Sequence, residues 1–266
     1  MHRLVLLIII AVASLCAGCV SVPETKSPVR LLFVGNSLTY VGNLPAVLDA
    51  LAASNRKPVQ SDMIVKGGTT LTERVSDGSV MRALAEKHYD YVVLQERGGD
   101  MVCAFGPTSC TDAEASLGAL ARLVAQHGSR AILLGTYQSL PQASTELIKA
   151  ESTAASRASI AYIPVSDRFQ TAMASASSAE WLYADGTHPG HDLVLLEATL
   201  LYRQLFGTLP AARTFSVHAP MYKPNAKFSV PSPTSHSIAI KDVPRVHTFT
   251  ADRMAVVLAI AAGGSR

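Results

Sequence analysis

The stretch that decides the fold lies near the start of the chain, where residues 29–39 read Val-Arg-Leu-Leu-Phe-Val-Gly-Asn-Ser-Leu-Thr. Its first six residues form a short, largely apolar run, which is typical of a strand buried on both faces of a sheet. The run stops at Gly35, so Ser37 follows directly after the carboxyl end of the predicted strand. Ligands of parallel sheets bind beyond that end of the strands, and Ser37 is therefore a candidate functional residue.

The body of the chain repeats this alternation of strand and helix. Four more short apolar runs are predicted as strands, at residues 59–65, 91–95, 131–135 and 161–165. Amphipathic helical patterns lie between them, and such alternation implies right-handed crossovers and helices on both faces of a parallel sheet. We therefore predict an α/β fold, a three-layer α/β/α sandwich around a central, mostly parallel five-stranded sheet.

Composition limits the possible classes of protein. The 266 residues are 48% hydrophobic, which is enough for one sizeable core, and only 16% are charged, which excludes a disordered chain. The net charge of +3 comes without any cluster of basic and aromatic residues, so no nucleic-acid partner is expected. Residues 29–266 are predicted to form a single domain. Its C-terminal extension, residues 208–266, combines an extended segment with a helix over residues 252–262.

The first residues follow the three-part pattern of a secretory signal peptide, predicted over residues 1–18. A basic head precedes an apolar run over residues 4–15, which is too short for a comfortable membrane span. Ala17, Gly18 and Cys19 resemble the end of the lipobox of bacterial lipoproteins. We expect export to the periplasm or cell envelope, a membrane anchor through lipid on Cys19, and a tether over residues 19–28. The alternative is an ordinary cleaved signal that leaves a soluble protein.

Chemistry is indicated by a second motif far along the chain, where residues 185–189 read Asp-Gly-Thr-His-Pro. A serine is a weak nucleophile that needs a base to take its proton. A histidine three residues after an aspartate can be that base, while the carboxylate holds its other ring nitrogen. Ser37, Asp185 and His188 are therefore the predicted catalytic residues of a serine esterase without cofactor or metal. A metal site formed by Asp185, His188 and His191 is the alternative.

Two cysteines remain beyond the signal region and Cys19. Cys103 and Cys110 flank a Gly-Pro turn, and a pair this close in an oxidising compartment predicts a disulfide that stiffens a loop. A metal or redox pair is the alternative.

Three blocks of the sequence together resemble the SGNH (GDSL-type) hydrolase superfamily of esterases and lipases. These blocks are Gly35–Leu38, Gly67–Leu71 and Asp185–Pro189. The resemblance implies a flavodoxin-like fold and an oxyanion hole that includes the backbone N–H groups of Ser37 and Gly68. The superfamily's third block, Gly-x-Asn-Asp, is altered here, and the amide of Gln95 is the candidate replacement for its asparagine. The alternative is that Gln95 ties down the loop.

Export and the resemblance together favour a small acyl ester as substrate, such as an acetyl group on a carbohydrate. Trp181 and Tyr183 are candidates for a wall against the substrate, although such aromatics also pack loops. Glu96 and Arg97 either line the mouth of the site or pair with each other. A second hypothesis is a non-catalytic envelope lipoprotein that uses the same fold as a glycan-binding or assembly module.

Overall fold

The computed structural model describes residues 27–175, 179–226, 228–238 and 243–263. The predicted signal peptide, Cys19 and most of the predicted tether lie outside these residues. Within them, no helix combines the length and apolar character needed to cross a membrane.

Strands and helices alternate along the first two thirds of the chain, as the sequence predicts. The elements are β1 (Val29–Gly35), α1 (Ser37–Tyr40), α2 (Leu44–Ser54), β2 (Val59–Lys66), α3 (Leu71–Asp77), α4 (Ser79–Glu86), β3 (Tyr91–Leu94), α5 (Ser109–Gln126), β4 (Arg130–Leu134), α6 (Pro141–Ala158), β5 (Ala161–Ile163), α7 (Val165–Ser175), α8 (His191–Phe206), β6 (Phe215–Val217), β7 (Ser229–Ser235), β8 (His247–Phe249) and α9 (Ala251–Ala262). The predicted terminal helix is confirmed as α9.

The central sheet has the strand order β5-β4-β3-β1-β2-β7. Strands β1 to β5 run parallel, with Phe33 of β1 opposite Met63 of β2 and Val93 of β3. The predicted three-layer α/β architecture is confirmed, but the predicted count of five strands is one too few. The additional strand, β7, pairs antiparallel with β2 at the edge of the sheet.

The core lies on both faces of the sheet because β1 is buried on both. Leu31 and Phe33 belong to the cluster that packs against α2, α7, α8 and α9, whereas Leu32 and Val34 belong to the cluster under α3 to α6. This arrangement follows from the alternation of side chains along a strand. Because β3, β1 and β2 are parallel neighbours in the sheet, their carboxyl ends lie side by side at one rim.

The C-terminal extension has more regular structure than the sequence predicts. Strands β6 and β8 form a separate two-stranded antiparallel sheet, with Phe215 opposite Phe249. Strand β7 joins the main sheet although its sequence, Ser-Val-Pro-Ser-Pro-Thr-Ser, contains two prolines. Prolines are tolerated on edge strands because one row of backbone groups needs no partner there.

Candidate active site

Ser37 is the first residue of the short helix α1 and follows β1 after a single residue. The preceding Asn36 caps this helix, since its side-chain oxygen accepts from the N–H of Leu38 at 3.0 Å. The Asn36 amide nitrogen donates to the carbonyls of Thr69 and Gln95, at 3.3 and 3.4 Å. Asn36 therefore ties together the loops that follow β1, β2 and β3, and it fixes the turn that presents Ser37.

His188 and Asp185 meet in a tight loop before α8. The Nδ1 atom of His188 lies 2.8 Å from Oδ2 of Asp185. The other carboxylate oxygen accepts from the backbone N–H groups of Thr187 and His188, at 2.9 and 3.0 Å. These contacts fix the imidazole so that Nε2 is left for another partner.

The electrostatics of this loop favour an ionised aspartate. Desolvation raises the pKa of Asp185, but the hydrogen bonds from the N–H groups of His188 and Thr187 and from the His188 ring outweigh it. The net effect is a pKa below the usual range. An ionised carboxylate at this position stabilises a protonated imidazole during proton transfer.

The nucleophile loop and the histidine loop face the same space. Ser37 and His188 both line one cavity of about 520 Å³, whose other wall includes Phe228 of the C-terminal extension. They also both line a second cavity of about 380 Å³ on the side of Arg97 and Phe105. Ser37 is therefore accessible from two sides, and His188 lines the same two cavities.

The histidine loop is held in place from below by a buried tyrosine. The hydroxyl of Tyr137 donates to the carbonyl of Thr187 at 2.9 Å, and the tyrosine ring packs against Phe169. Burial raises the pKa of Tyr137 well above its usual range, so the hydroxyl keeps the proton that it donates. Sequence analysis missed this residue because it carries no motif of its own.

Two backbone N–H groups at the site are available for a ligand. Gly68 adopts a φ of +70°, and a side chain built on it would meet nothing within 4 Å. Among the described residues, neither its N–H nor that of Ser37 has a hydrogen-bond acceptor. Free donors beside a serine are the geometry that stabilises a developing oxyanion.

No family model matches the chain, and no curated protein matches it in sequence. Solved structures do resemble it, and three of them are described below. A candidate SGNH hydrolase from Slackia heliotrinireducens is 23% identical, with a TM-score of 0.55 over 67% of this chain and 100% of that one. The chain has the fold of the SGNH hydrolases.

The other two structures support the same fold. The acetyl-xylooligosaccharide esterase Axe2 from Geobacillus stearothermophilus is 16% identical, with a TM-score of 0.56 over 68% of this chain and 95% of that one. A candidate GDSL-like lipase from Parabacteroides merdae is 16% identical, with a TM-score of 0.53 over 68% and 97% of the two chains.

On this SGNH fold, the prediction that Gln95 donates to the oxyanion is wrong. Gln95 is buried, its Oε1 accepts from the hydroxyl of Thr39 at 2.7 Å, and its Nε2 donates to Glu197 at 3.4 Å. Burial raises the pKa of Glu197 well above its usual range. The amide of Gln95 therefore points into the protein interior, towards the buried carboxyl group of Glu197 on α8. Its hydrogen bond with Thr39 supports α1, and the amide does not face a ligand.

The candidate aromatic wall is not supported either, and the alternative that these aromatics serve in packing fits the structure. Trp181 is buried in the core, and Tyr183 packs against His191; neither lines the cavities at Ser37. The exposed aromatic ring at this site of the SGNH fold belongs to Phe105, which sequence analysis did not single out. Phe105 lies between Cys103 and Cys110, which form a disulfide.

The charged pair that follows β3 separates into two roles. Glu96 is buried and accepts from the N–H groups of Leu71 and Arg97, at 3.1 and 2.8 Å. Burial, opposed by these hydrogen bonds, raises the pKa of Glu96 to about 7. Arg97 instead binds Asp100 through two hydrogen bonds, at 2.8 and 2.9 Å, and lines the cavity.

His191 does not join His188. It lines a different cavity, where its ring stacks on His247 with 4.1 Å between centroids. Within the described part of the chain, no group of three or more histidine, cysteine, aspartate or glutamate side chains is arranged to hold a metal ion. The alternative of one metal site from Asp185, His188 and His191 is therefore not supported.

Proposed function

We propose that the protein is a serine ester hydrolase in which Ser37 is the nucleophile, His188 the base and Asp185 the residue that orients the base. One observation carries this proposal. The Asp185–His188 hydrogen bond of 2.8 Å leaves Nε2 free, in a cavity that Ser37 also lines. The fold shared with an esterase and a lipase-like protein supports it.

The reaction follows from these positions. His188 takes the hydroxyl proton of Ser37 while the serine oxygen attacks the ester carbonyl, and the N–H groups of Ser37 and Gly68 stabilise the oxyanion. His188 then gives the proton to the leaving alcohol, and an acyl group remains on Ser37. Water, activated by His188, releases the acid and restores the serine. No step needs a metal or cofactor.

The substrate we propose is a small acyl ester, acetyl in the first instance, carried by a carbohydrate outside the cytoplasm. An acetyl-xylooligosaccharide esterase among the proteins of similar fold supports this choice. The polar walls of the cavity of about 380 Å³ support it as well, since Gln138, Ser139 and Thr187 line that cavity.

The decisive experiment compares Ser37→Ala, His188→Ala and a matched control, Ser76→Ala, in hydrolysis of p-nitrophenyl acetate. Ser76 is an exposed serine on α3 whose hydroxyl bonds a backbone carbonyl of its own helix. We expect the first two variants to lose at least about a thousandfold in kcat, while the control keeps full activity. A fluorophosphonate probe should label the native protein and the control but neither active-site variant.

The same experiment separates the enzyme from a glycan-binding or assembly module. The observation that favours the module is the inward orientation of Gln95. It leaves only two backbone N–H donors for the oxyanion, whereas the superfamily pattern adds a side-chain donor. If the native protein hydrolyses the ester no faster than Ser37→Ala and takes no label, the enzyme hypothesis is rejected and the module hypothesis is favoured.

We also propose that the protein is exported and carries lipid on Cys19. The signal-like residues 1–18 and the lipobox-like residues before Cys19 support this. Globomycin should block processing of the precursor, and Cys19→Ala should release the protein from the membrane fraction. Processing that is insensitive to globomycin would favour a cleaved, soluble form.

A further inference from the structure

Phe105 has an unusual place for an exposed phenylalanine. The residue is 55% exposed, and it lines the same cavity as Ser37 and His188. Exposed apolar side chains are common singly on protein surfaces. An exposed ring at the mouth of a candidate active site, however, is a surface that a ligand can cover.

The ring of Phe105 is held rigidly in this position. The guanidinium of Arg97 stacks on it, 3.8 Å from the ring centroid. Arg97 is itself fixed by two hydrogen bonds to Asp100, a buried carboxylate. The stacked pair presents a platform whose conformation requires little ordering when a ligand binds, and such preorganisation favours affinity.

The loop that carries the ring is closed on both sides. The Cys103–Cys110 disulfide joins its ends, and the N–H of Ala104 donates to the carbonyl of Gly99 at 3.0 Å. Gly99 has a φ of +96°, and a β-carbon there would lie 3.0 Å from the β-carbon of Ala104 and 3.4 Å from the Phe105 ring. Glycine at this position therefore lets the ring pack close to the backbone.

The same cavity also contains polar side chains that a ligand can reach. Gln138 is half-buried, and its backbone is clamped by Ser166 and Gln170, at 3.1 and 2.5 Å. In the part of the chain that the structure describes, neither the side-chain amide of Gln138 nor the hydroxyl of Ser139 forms a hydrogen bond. The cavity thus combines one aromatic surface with unpaired donors and acceptors.

This combination selects for a particular class of ligand. A sugar ring has an apolar C–H face that stacks on an aromatic ring, and hydroxyls that hydrogen-bond at its edge. A fatty chain would cover Phe105 but would displace water from the amide of Gln138 without replacing its hydrogen bonds, which costs free energy. Asp100 already neutralises Arg97, so the platform does not favour an anion.

We propose that Phe105, fixed by Arg97 and by the disulfide loop, is the binding platform for the sugar ring of the ester's alcohol portion. The inference rests on the proposed function, because it assigns the leaving group of that reaction. Gln138 and Ser139 hydrogen-bond the sugar hydroxyls while Ser37 attacks the acyl carbonyl.

The test compares two acetyl esters, acetylated methyl xylopyranoside and ethyl acetate, which has no ring. In Phe105→Ala, the ratio of kcat/KM for the sugar ester to that for ethyl acetate should fall about tenfold, mainly through KM, the order expected for one lost stacking contact. Phe105→Trp, which keeps an aromatic ring, should keep this ratio near that of the native protein. Met81→Ala, which truncates an exposed side chain on α4 outside the cavity, should leave the ratio unchanged.

A second variant tests the loop. Replacing both cysteines, Cys103→Ser with Cys110→Ser, should lower the same ratio because it releases the platform. A fall in Phe105→Ala that is equal for both esters would overturn the proposal and make Phe105 a structural residue. If Phe105→Ala lowers kcat/KM for p-nitrophenyl acetate but not for the sugar ester, the proposal of a sugar is overturned, and Phe105 binds an aromatic alcohol portion instead.

A binding measurement keeps this proposal separate from the catalytic one. Methyl xylopyranoside should shift nuclear magnetic resonance signals of Ser37→Ala, and the shifts should disappear when Phe105→Ala is added. If Ser37→Ala still hydrolyses ethyl acetate, the proposed function fails, whatever the sugar does. If hydrolysis depends on Ser37 but the sugar does not bind, only the platform fails.

Discussion

A buried carboxyl group on α6 gives the molecule a pH-dependent stability that one substitution should remove. Glu151 is 1% exposed. Its Oε1 accepts from the N–H and the hydroxyl of Thr136, at 2.8 and 2.9 Å, and its Oε2 accepts from Tyr162 at 2.9 Å. Burial, opposed by these hydrogen bonds, raises the pKa of Glu151 to about 7. Glutamine keeps the same shape and cannot ionise, so Glu151→Gln isolates the charge.

The magnitude follows from linkage. Below the ordinary glutamate pKa of 4.5, folded and unfolded chains are both protonated at this site. Between 4.5 and about 7 the unfolded chain loses the proton and the folded chain keeps it, so the free energy of unfolding falls as pH rises, by about 1.4 kcal/mol per pH unit. From pH 5 to pH 8 the loss due to Glu151 amounts to about 3 kcal/mol, and Glu151→Gln should not suffer it.

Denaturant unfolding at pH 5 and pH 8 measures this directly. The difference in unfolding free energy between Glu151→Gln and the native protein should shift by about 3 kcal/mol in favour of the variant on going to pH 8. The control is Glu146→Gln. Glu146 lies on the same helix but is exposed, and its carboxylate accepts a hydrogen bond from Gln142. This control should show no such change between the two pH values. A difference that is the same at both pH values would refute the assignment of a proton to buried Glu151.

Three further predictions concern the histidine loop and the helix α1 that carries Ser37. Asp185→Asn should lower kcat about 10³–10⁴-fold without changing the circular dichroism spectrum, because the imidazole loses its ionised partner. In the histidine loop, Gly190→Ala should destabilise the protein by more than about 2 kcal/mol in urea unfolding, since the new carbon would lie 2.2 Å from a backbone oxygen, whereas Gly186→Ala should cost only about 1 kcal/mol for its positive φ. Thr39→Val should cost about 1–3 kcal/mol by leaving the buried oxygen of Gln95 without its donor, and Thr39→Ser should recover most of this.

The parts of the fold that sequence predicts well are those set by local patterns. The apolar run of β1 is buried on both faces, so its composition alone indicates a central parallel strand. The position of Ser37 follows from the end of that run. The loop from Asp185 to His188 is equally local, since a spacing of three residues brings the carboxylate to the imidazole within one turn.

The errors arise where a side chain's direction depends on residues far along the chain. Gln95 points inward because its amide nitrogen donates a hydrogen bond to Glu197 on α8. No local sequence pattern predicts that contact. Trp181 faces the core for the same kind of reason. Strand β7 was not predicted because Pro231 and Pro233 argue against a strand unless its place at the sheet edge is already known.

The C-terminal extension has a consequence for the order in which the site forms. Phe228 supplies one wall of the larger cavity, and its carbonyl accepts from the N–H of Gly67, beside the free donor of Gly68. A contact between such distant parts of the chain requires a long loop to close, so we expect it to form after the contacts between neighbouring elements. A newly made chain therefore has its five parallel strands available before this wall of the cavity can close.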